Sequence, residues 1–171
     1  MKRILVLSDS HGNVKNMLMA VQKEKPDLVI HLGDCWSDTE ELLGKFPELE
    51  IRRVPGNCDW KQEPLEQLFE VEGVWILICH GHTYNVKMGL LNLLYAANEK
   101  GADVALFGHT HKGFYDYHQG VRLFNPGSIG APRYQTPPSY GMIYLDGEKK
   151  QIKTDLVYLD TEQKHTDEKD I

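Results

Sequence analysis

Apolar and polar positions in the first third of the chain alternate between two patterns. Residues 3–8 (RILVLS) and 28–31 (LVIH) are near-continuous apolar runs, as expected of strands buried on both faces of a parallel sheet. Between them Val14, Met17, Leu18 and Val21 recur at i, i+3, i+4 and i+7, one face of a helix, with Asn13 placed to cap its start. Pro26-Asp27 ends that helix. Ser37 opens a second, shorter helix to about Phe46, and Glu40 three residues on completes a capping box. Residues 51–54 form a third strand. This βαβαβ opening predicts parallel strands covered by helices, joined by right-handed crossovers.

The pattern then changes. Residues 69–71 and 74–79 read as a hairpin around Glu72-Gly73, and residues 90–100 as a helix with Leu91, Leu94 and Tyr95 on one face. Residues 104–107 form another buried strand. From there the chain reads as β only, over 113–118, 121–124, 141–146 and 152–158. Turns at Gln119-Gly120, Asn125-Pro126-Gly127 and Asp146-Gly147 separate these strands. The charged stretch after 160 has little apolar content, so the pattern gives one domain over 1–160 and a polar tail, 161–171, expected to fray.

Composition narrows the function classes. A chain of 171 residues buries roughly 70% of the surface its unfolded form exposes and needs no disulfides to stay folded. Its three cysteines form no C-x-x-C pair. A net charge of −6 weighs against unspecific binding to nucleic acid or to an anionic membrane. The apolar run before Ser8 is only four residues, too short for a signal peptide or a membrane span, so the expected location is the cytoplasm.

Five polar clusters fall at predicted strand ends: SDSHG, LGDC, GNCD, CHGH and GHTH. They supply Asp9, His11, Asp34, Asn57, His80, His109 and His111. Each cluster alone is compatible with a turn. Burying them together without a cation is costly, because every polar group needs a partner and every charge a counter-charge. Seven N/O donors exceed the needs of one ion and suit two that share a bridging carboxylate. Such pairs, about 3.5–4 Å apart, clamp the attacking and leaving oxygens in displacement at phosphorus. Imidazole with carboxylate suits Mn, Fe, Zn, Ni or Co better than Mg or Ca.

In their order, D-x-H, GD, GN-x-D, a His before GH, and GHTH resemble the motifs of the calcineurin-like metallophosphoesterases, and they cover Asp9 to His111. The small size, the CHGH form and the downstream NPGS resemble the short bacterial and archaeal phosphodiesterase branch; the retromer subunit of the same fold is also similar. The resemblance implies a four-layer αββα sandwich, two facing mixed β-sheets flanked by helices. It places Asp9, His11 and His111 on a first metal and Asn57, His80 and His109 on a second, with Asp34 bridging. Asp34, Asn57 and His80 are assigned to the catalytic step. A hydroxide between two divalent ions, Mn(2+) being the expected metal, would attack phosphorus in line. The implied substrate is a small phosphodiester, with no nucleic-acid or membrane partner.

Around this set, Cys58, Asp59 and His82 are candidates for substrate contact or for orienting the ligands. Many members of the family have a His where this chain has Cys58, and that His is assigned to protonating the leaving group. A neutral thiol is a weak donor, so a diesterase favouring good leaving groups is expected. The competing reading makes Cys58 a nucleophile. His31 reads as a satisfied core histidine. Gly56 is expected to turn the chain sharply. Trp36 and Trp60 are candidate pocket walls, and Arg133 and Tyr134 a loop within reach of a phosphate. The rival functions are a non-catalytic scaffold of this fold, and a phosphomonoesterase or nuclease.

Overall fold

A computed structural model describes residues 1–149 and 151–159 in full and 164–170 by their backbone. Its elements run β1 (Lys2–Leu7), α1 (Val14–Glu24), β2 (Leu28–His31), α2 (Asp38–Lys45), β3 (Glu50–Arg53), β4 (Glu66–Val71) and β5 (Val74–Cys79). A 3-10 turn at His82–Tyr84 leads to α3 (Leu91–Glu99), and then to β6 (Val104–Leu106), β7 (Gly113–His118), β8 (Val121–Pro126), β9 (Ser139–Asp146), β10 (Gln151–Tyr158) and β11 (Lys164–Asp170).

β1 shows why the opening run has no polar position. Ile4 and Val6 face a core shared with the second sheet, while Leu5 and Leu7 face the helices α1 and α2. β1 lies parallel to β2, and β2 to β3, while β9, β10 and β11 extend the other edge antiparallel, giving the order β11-β10-β9-β1-β2-β3. The second sheet has the order β4-β5-β6-β8-β7, parallel at its centre and antiparallel at both edges. α3 covers its outer face through Leu93, Leu94 and Ala97. Helix, sheet, sheet and helix thus stack in four layers around three apolar clusters. No helix among the described residues is long and apolar enough to cross a membrane.

α1 begins as its sequence predicts, with the Asn13 side chain accepting the Asn16 N–H at 3.2 Å, and ends at a left-handed Lys25 just before Pro26. Three expectations fail. The capping box at Ser37 does not form: Ser37 is already helical, and the turn starts earlier, with the Asp38 and Thr39 N–H groups bonded to the Cys35 and Trp36 carbonyls. Glu40 instead pairs with Arg53 at 2.6 Å. In α3, Leu91 and Tyr95 are 60% and 59% exposed. That helix carries two apolar arcs, and the one with the small Ala97 packs against the sheet. Finally, the tail expected to fray pairs antiparallel with β10 from Lys164 to Asp170, because a strand edge offers unpaired backbone groups whatever the side chains. The rest of that tail lies outside the described residues.

α1 is tied to the first sheet by one buried polar contact. Glu24 is 5% exposed and accepts the Tyr140 hydroxyl at 2.7 Å. Tyr140→Phe should leave that carboxylate oxygen without a donor, at a cost of about 1–3 kcal/mol. A Tm roughly 2–12 °C lower in thermal unfolding would show it.

Candidate functional site

The seven ligand candidates arrive from five segments, each following the C-terminal end of a parallel strand: β1, β2, β3, β5 and β6. The loops bend sharply there. Asp9, His11, Asp34, His109 and His111 all take left-handed backbone conformations, with φ between 44° and 68°. Such conformations in non-glycine residues cost of order 1–3 kcal/mol each and cluster at functional sites.

Asp9, His11, Asp34 and His111 bring one ligand atom each to within 4.8 Å of one another. Asp9 is fully buried; its Oδ2 accepts the Ser8 hydroxyl at 2.6 Å and the His109 N–H at 3.1 Å. Its Oδ1 accepts no aligned hydrogen bond, although His111 Nε2 lies 3.1 Å away and the Nε2 atoms of His80 and His11 at 3.9 and 4.0 Å. The His111 Nδ1 donates to the Ala131 carbonyl at 2.6 Å, which leaves Nε2 to present a lone pair when the ring is neutral.

The second set shows the same conflict. His80 Nδ1 donates to the Leu32 carbonyl at 2.7 Å, so its Nε2 presents a lone pair when the ring is neutral. Around that nitrogen lie Asn57 Oδ1 at 3.1 Å and His109 Nδ1 at 3.2 Å. With that ring neutral, the Asn57 oxygen and the His80 nitrogen face each other as two acceptors, which a cation bound to both would reconcile. The Asp34 carboxylate spans both sets, with Oδ2 3.6 Å from His11 Nε2 and Oδ1 3.5 Å from His80 Nε2. An orphaned carboxylate oxygen and converging lone pairs fit bound divalent metal. His11 and Asn57 are exposed, so the set is open to a ligand on one side.

Other residues fix these donors in place. Asp59 accepts the backbone N–H groups of Asp34, Cys35, Trp36 and Gly56 at 2.8–3.0 Å, so this carboxylate clamps two ligand-bearing loops together. Gly56 lies outside the left-handed region; what it supplies is space, since a Cβ there would stand 2.1 Å from Asp34 Oδ1. At Gly108 a Cβ would stand 2.0 Å from the Ser8 hydroxyl and 2.8 Å from Asp9 Oδ2. His31 is buried and bonded throughout. It accepts the Gly33 N–H and faces Ser10 Oγ at 3.0 Å, and Ser10 donates to Asp38, which also accepts the Gly12 N–H. Burial holds the His31 pKa down to about 4, so the ring is a neutral crosslink between the first two ligand loops. Ser128, in the NPGS segment, donates to the Asp9 carbonyl at 2.8 Å.

The remaining candidates divide. His82 stands over the second set, its ring 5.5 Å from that of His80 and 6.1 Å from that of His109, with a buried Nδ1 that has no partner. Cys58 is exposed; its N–H donates to Asp34 Oδ1 at 3.0 Å. Partial burial and the Asp34 charge raise the thiol pKa, the opposite of what activates a nucleophile. Trp36 is buried under the Arg53 guanidinium, 4.3 Å from its ring, and Trp60 is wholly exposed, so neither walls the site. A cavity of about 610 Å³ lies at the C-terminal ends of α1 and α2, roughly a helix length (~16 Å) from the ligand loops.

Burial, then the neighbouring His80 and Lys87, hold His109 down to about 4. The Asp9 carboxylate raises His111 above its ordinary value, against the opposing effect of burial. A metal held by these rings would compete with a proton at His111, and at His109 only near pH 4. Affinity should fall as pH drops, beginning above 6.5, with proton release traceable to His111 in calorimetry across buffers and lost in His111→Ala. Gly56→Ala should keep the fold by circular dichroism but weaken metal binding at least ~10-fold, by pushing Asp34 aside.

Residues 1–148 match the calcineurin-like phosphoesterase superfamily domain. The chain is 36% identical over 154 residues to the probable metallophosphoesterase YsnB of Bacillus subtilis, covering 88% of each protein. It is 30% identical to the phosphodiesterase YfcE of Escherichia coli, covering 85% of this chain and 89% of that one. The solved structure of Vps29 complexed with zinc, from Entamoeba histolytica, superposes with a TM-score of 0.79 over 98% of both chains at 19% identity, a likeness of fold. With a buried cluster of carboxylates and imidazoles at its strand ends, this chain belongs to the calcineurin-like phosphoesterase superfamily.

Proposed function

We propose that the protein is a two-metal phosphodiesterase of the cytoplasm, acting on a small phosphodiester. One observation carries this reading: the two oxygens of Asp34 face separate donor sets, 3.6 Å from His11 and 3.5 Å from His80, as a bridging ligand requires. Asp9, His11 and His111 would hold one ion and Asn57, His80 and His109 the other. When bound, the ions supply a water of lowered pKa as nucleophile and neutralise charge on the phosphoryl oxygens. Mn(2+) is the proposed metal, with Fe, Zn, Ni or Co suited to the same donors.

The protein groups orient this chemistry. The Leu32 and Ala131 carbonyls fix the rings of His80 and His111 with Nε2 inward. Asp59 holds the Asp34 loop against Gly56. Cys58 cannot replace a protonating imidazole, because its thiol stays neutral and donates weakly. The leaving group must then depart largely unprotonated. The name of the YfcE relative supports a diester substrate, and the full donor set favours an enzyme over a scaffold.

Chelator-stripped protein should hydrolyse bis(p-nitrophenyl) phosphate only when a divalent transition metal is restored. Asp34→Ala and Asn57→Ala should each lower the rate more than ~100-fold, beyond the loss seen when only the outer partners of ligands are removed. Retained activity in both variants would refute the assignment, and with it any reading in which these residues hold the reactive metals. Across aryl diesters of rising leaving-group pKa the rate should fall steeply, and a flat profile would contradict the missing acid. Cys58→Ser should keep most of the activity, whereas a nucleophilic Cys58 requires its loss.

A further inference from the structure

A cavity of about 360 Å³ adjoins the site, and nothing in the reading above uses it. Thr110, which links the ligand candidates His109 and His111, forms part of its wall. The Thr110 hydroxyl accepts from Asn125 at 3.0 Å, so this wall is held rigidly. The rest is aliphatic along residues 86–90 (Val86, Met88, Leu90), and otherwise aromatic or cationic. Phe107 and Phe114 present rings 6.3 Å apart, and Tyr134 adds a third aromatic face. Lys87 and Lys112 are exposed and also line the cavity. Lys112 Nζ lies 5.8 Å from the Tyr134 ring centre, and Lys87 is close enough to depress the basicity of His109.

The charge pattern is selective. The whole chain carries −6, yet no carboxylate lines this cavity among the described residues, and neither ammonium makes an ion pair there. Aromatic walls favour a planar group that can stack or meet ring edges. Two cations at the rim favour a negative charge on that group, in addition to the phosphate at the metals. The volume is that of a site for one small organic group.

We propose that this cavity is the leaving-group subsite, and that it takes a planar aromatic group bearing a second anionic substituent read by Lys87 and Lys112. The inference rests on the phosphodiesterase reading and adds to it the class of leaving group. A ring seated here lies against Thr110, the residue between the ligand candidates His109 and His111, and so beside the proposed metals. An aromatic leaving group also releases its oxygen at lower pKa than an alkyl alcohol, which suits a site that has Cys58 where an acid is expected.

The test compares two diesters, methyl 4-nitrophenyl phosphate and methyl 3-carboxy-4-nitrophenyl phosphate, with metal-loaded protein. The carboxylated ester should show a KM lower by about fivefold or more, an advantage that shrinks in high salt. In the Lys87→Gln/Lys112→Gln double variant the ratio of the two KM values should fall to about one. Equal KM values in the wild type, or an advantage that survives the double substitution, would overturn the subsite. If wild type hydrolyses neither ester, the phosphodiesterase reading fails instead. The subsite is then read directly, by calorimetry of free 5-hydroxy-2-nitrobenzoate with metal-loaded protein: binding about fivefold weaker in the double variant supports it, and unchanged or absent binding refutes it.

Discussion

The structure turns on a carboxylate that the fold buries without giving it enough donors. Asp9 sits where the two sheets meet, wholly out of water, with one oxygen bonded and the other facing three imidazoles. Around it the seam is closed by contacts that cross between the sheets: His109 N–H to Asp9, His80 to the Leu32 carbonyl, and Ser128 to the Asp9 carbonyl. The cost of the buried charge is met most directly by a cation, so packing and chemistry are one arrangement.

Strands bring the ligands close, but loops set their directions. The Asp59 carboxylate gathers four N–H groups from two loops, and the His31–Ser10–Asp38 chain joins the two loops that carry His11 and Asp34. These groups touch no reacting atom. Their effect is to hold loops in conformations that an isolated chain would avoid. The apolar layers beneath supply a rigid base, since Leu5, Leu7, Ile30 and Ile78 are all fully buried on the strands from which the loops depart.

Periodicity carried most of the fold, because a strand buried on both faces and a helix buried on one leave different traces, as in β1 and α1. It failed where two solutions were equally apolar, as in α3, or where backbone pairing alone decided, as in β11. The capping box failed because hydrogen bonds before Ser37 had already started the helix. The ligand candidates were legible because the chemistry demands particular side chains at strand ends. Their supports were less so: the Leu32 and Ala131 carbonyls leave no mark in a sequence, since every residue has one. Gly56 was visible, but its reason was not, because the carboxylate it makes room for belongs to a loop more than 20 residues away. Ser8 and Ser128 carried a readable signal, hydroxyls flanking a carboxylate and a turn, whose targets only the fold reveals. Lys87 and Lys112 lie 25 positions apart in the chain and come to one cavity only through the fold.

The left-handed residues make the site easy to lose. At His11, His109 and His111 the backbone holds a side chain in a region that glycine enters freely, so exchanging a ligand for glycine would relieve strain of order 1–3 kcal/mol at each position. Mutation under selection for stability alone therefore erodes the donor set before it erodes the fold. A lineage that no longer needed the chemistry would keep the sandwich and shed its imidazoles one by one. An intact set of histidines held in strained loops is what a lineage still using the metals would show.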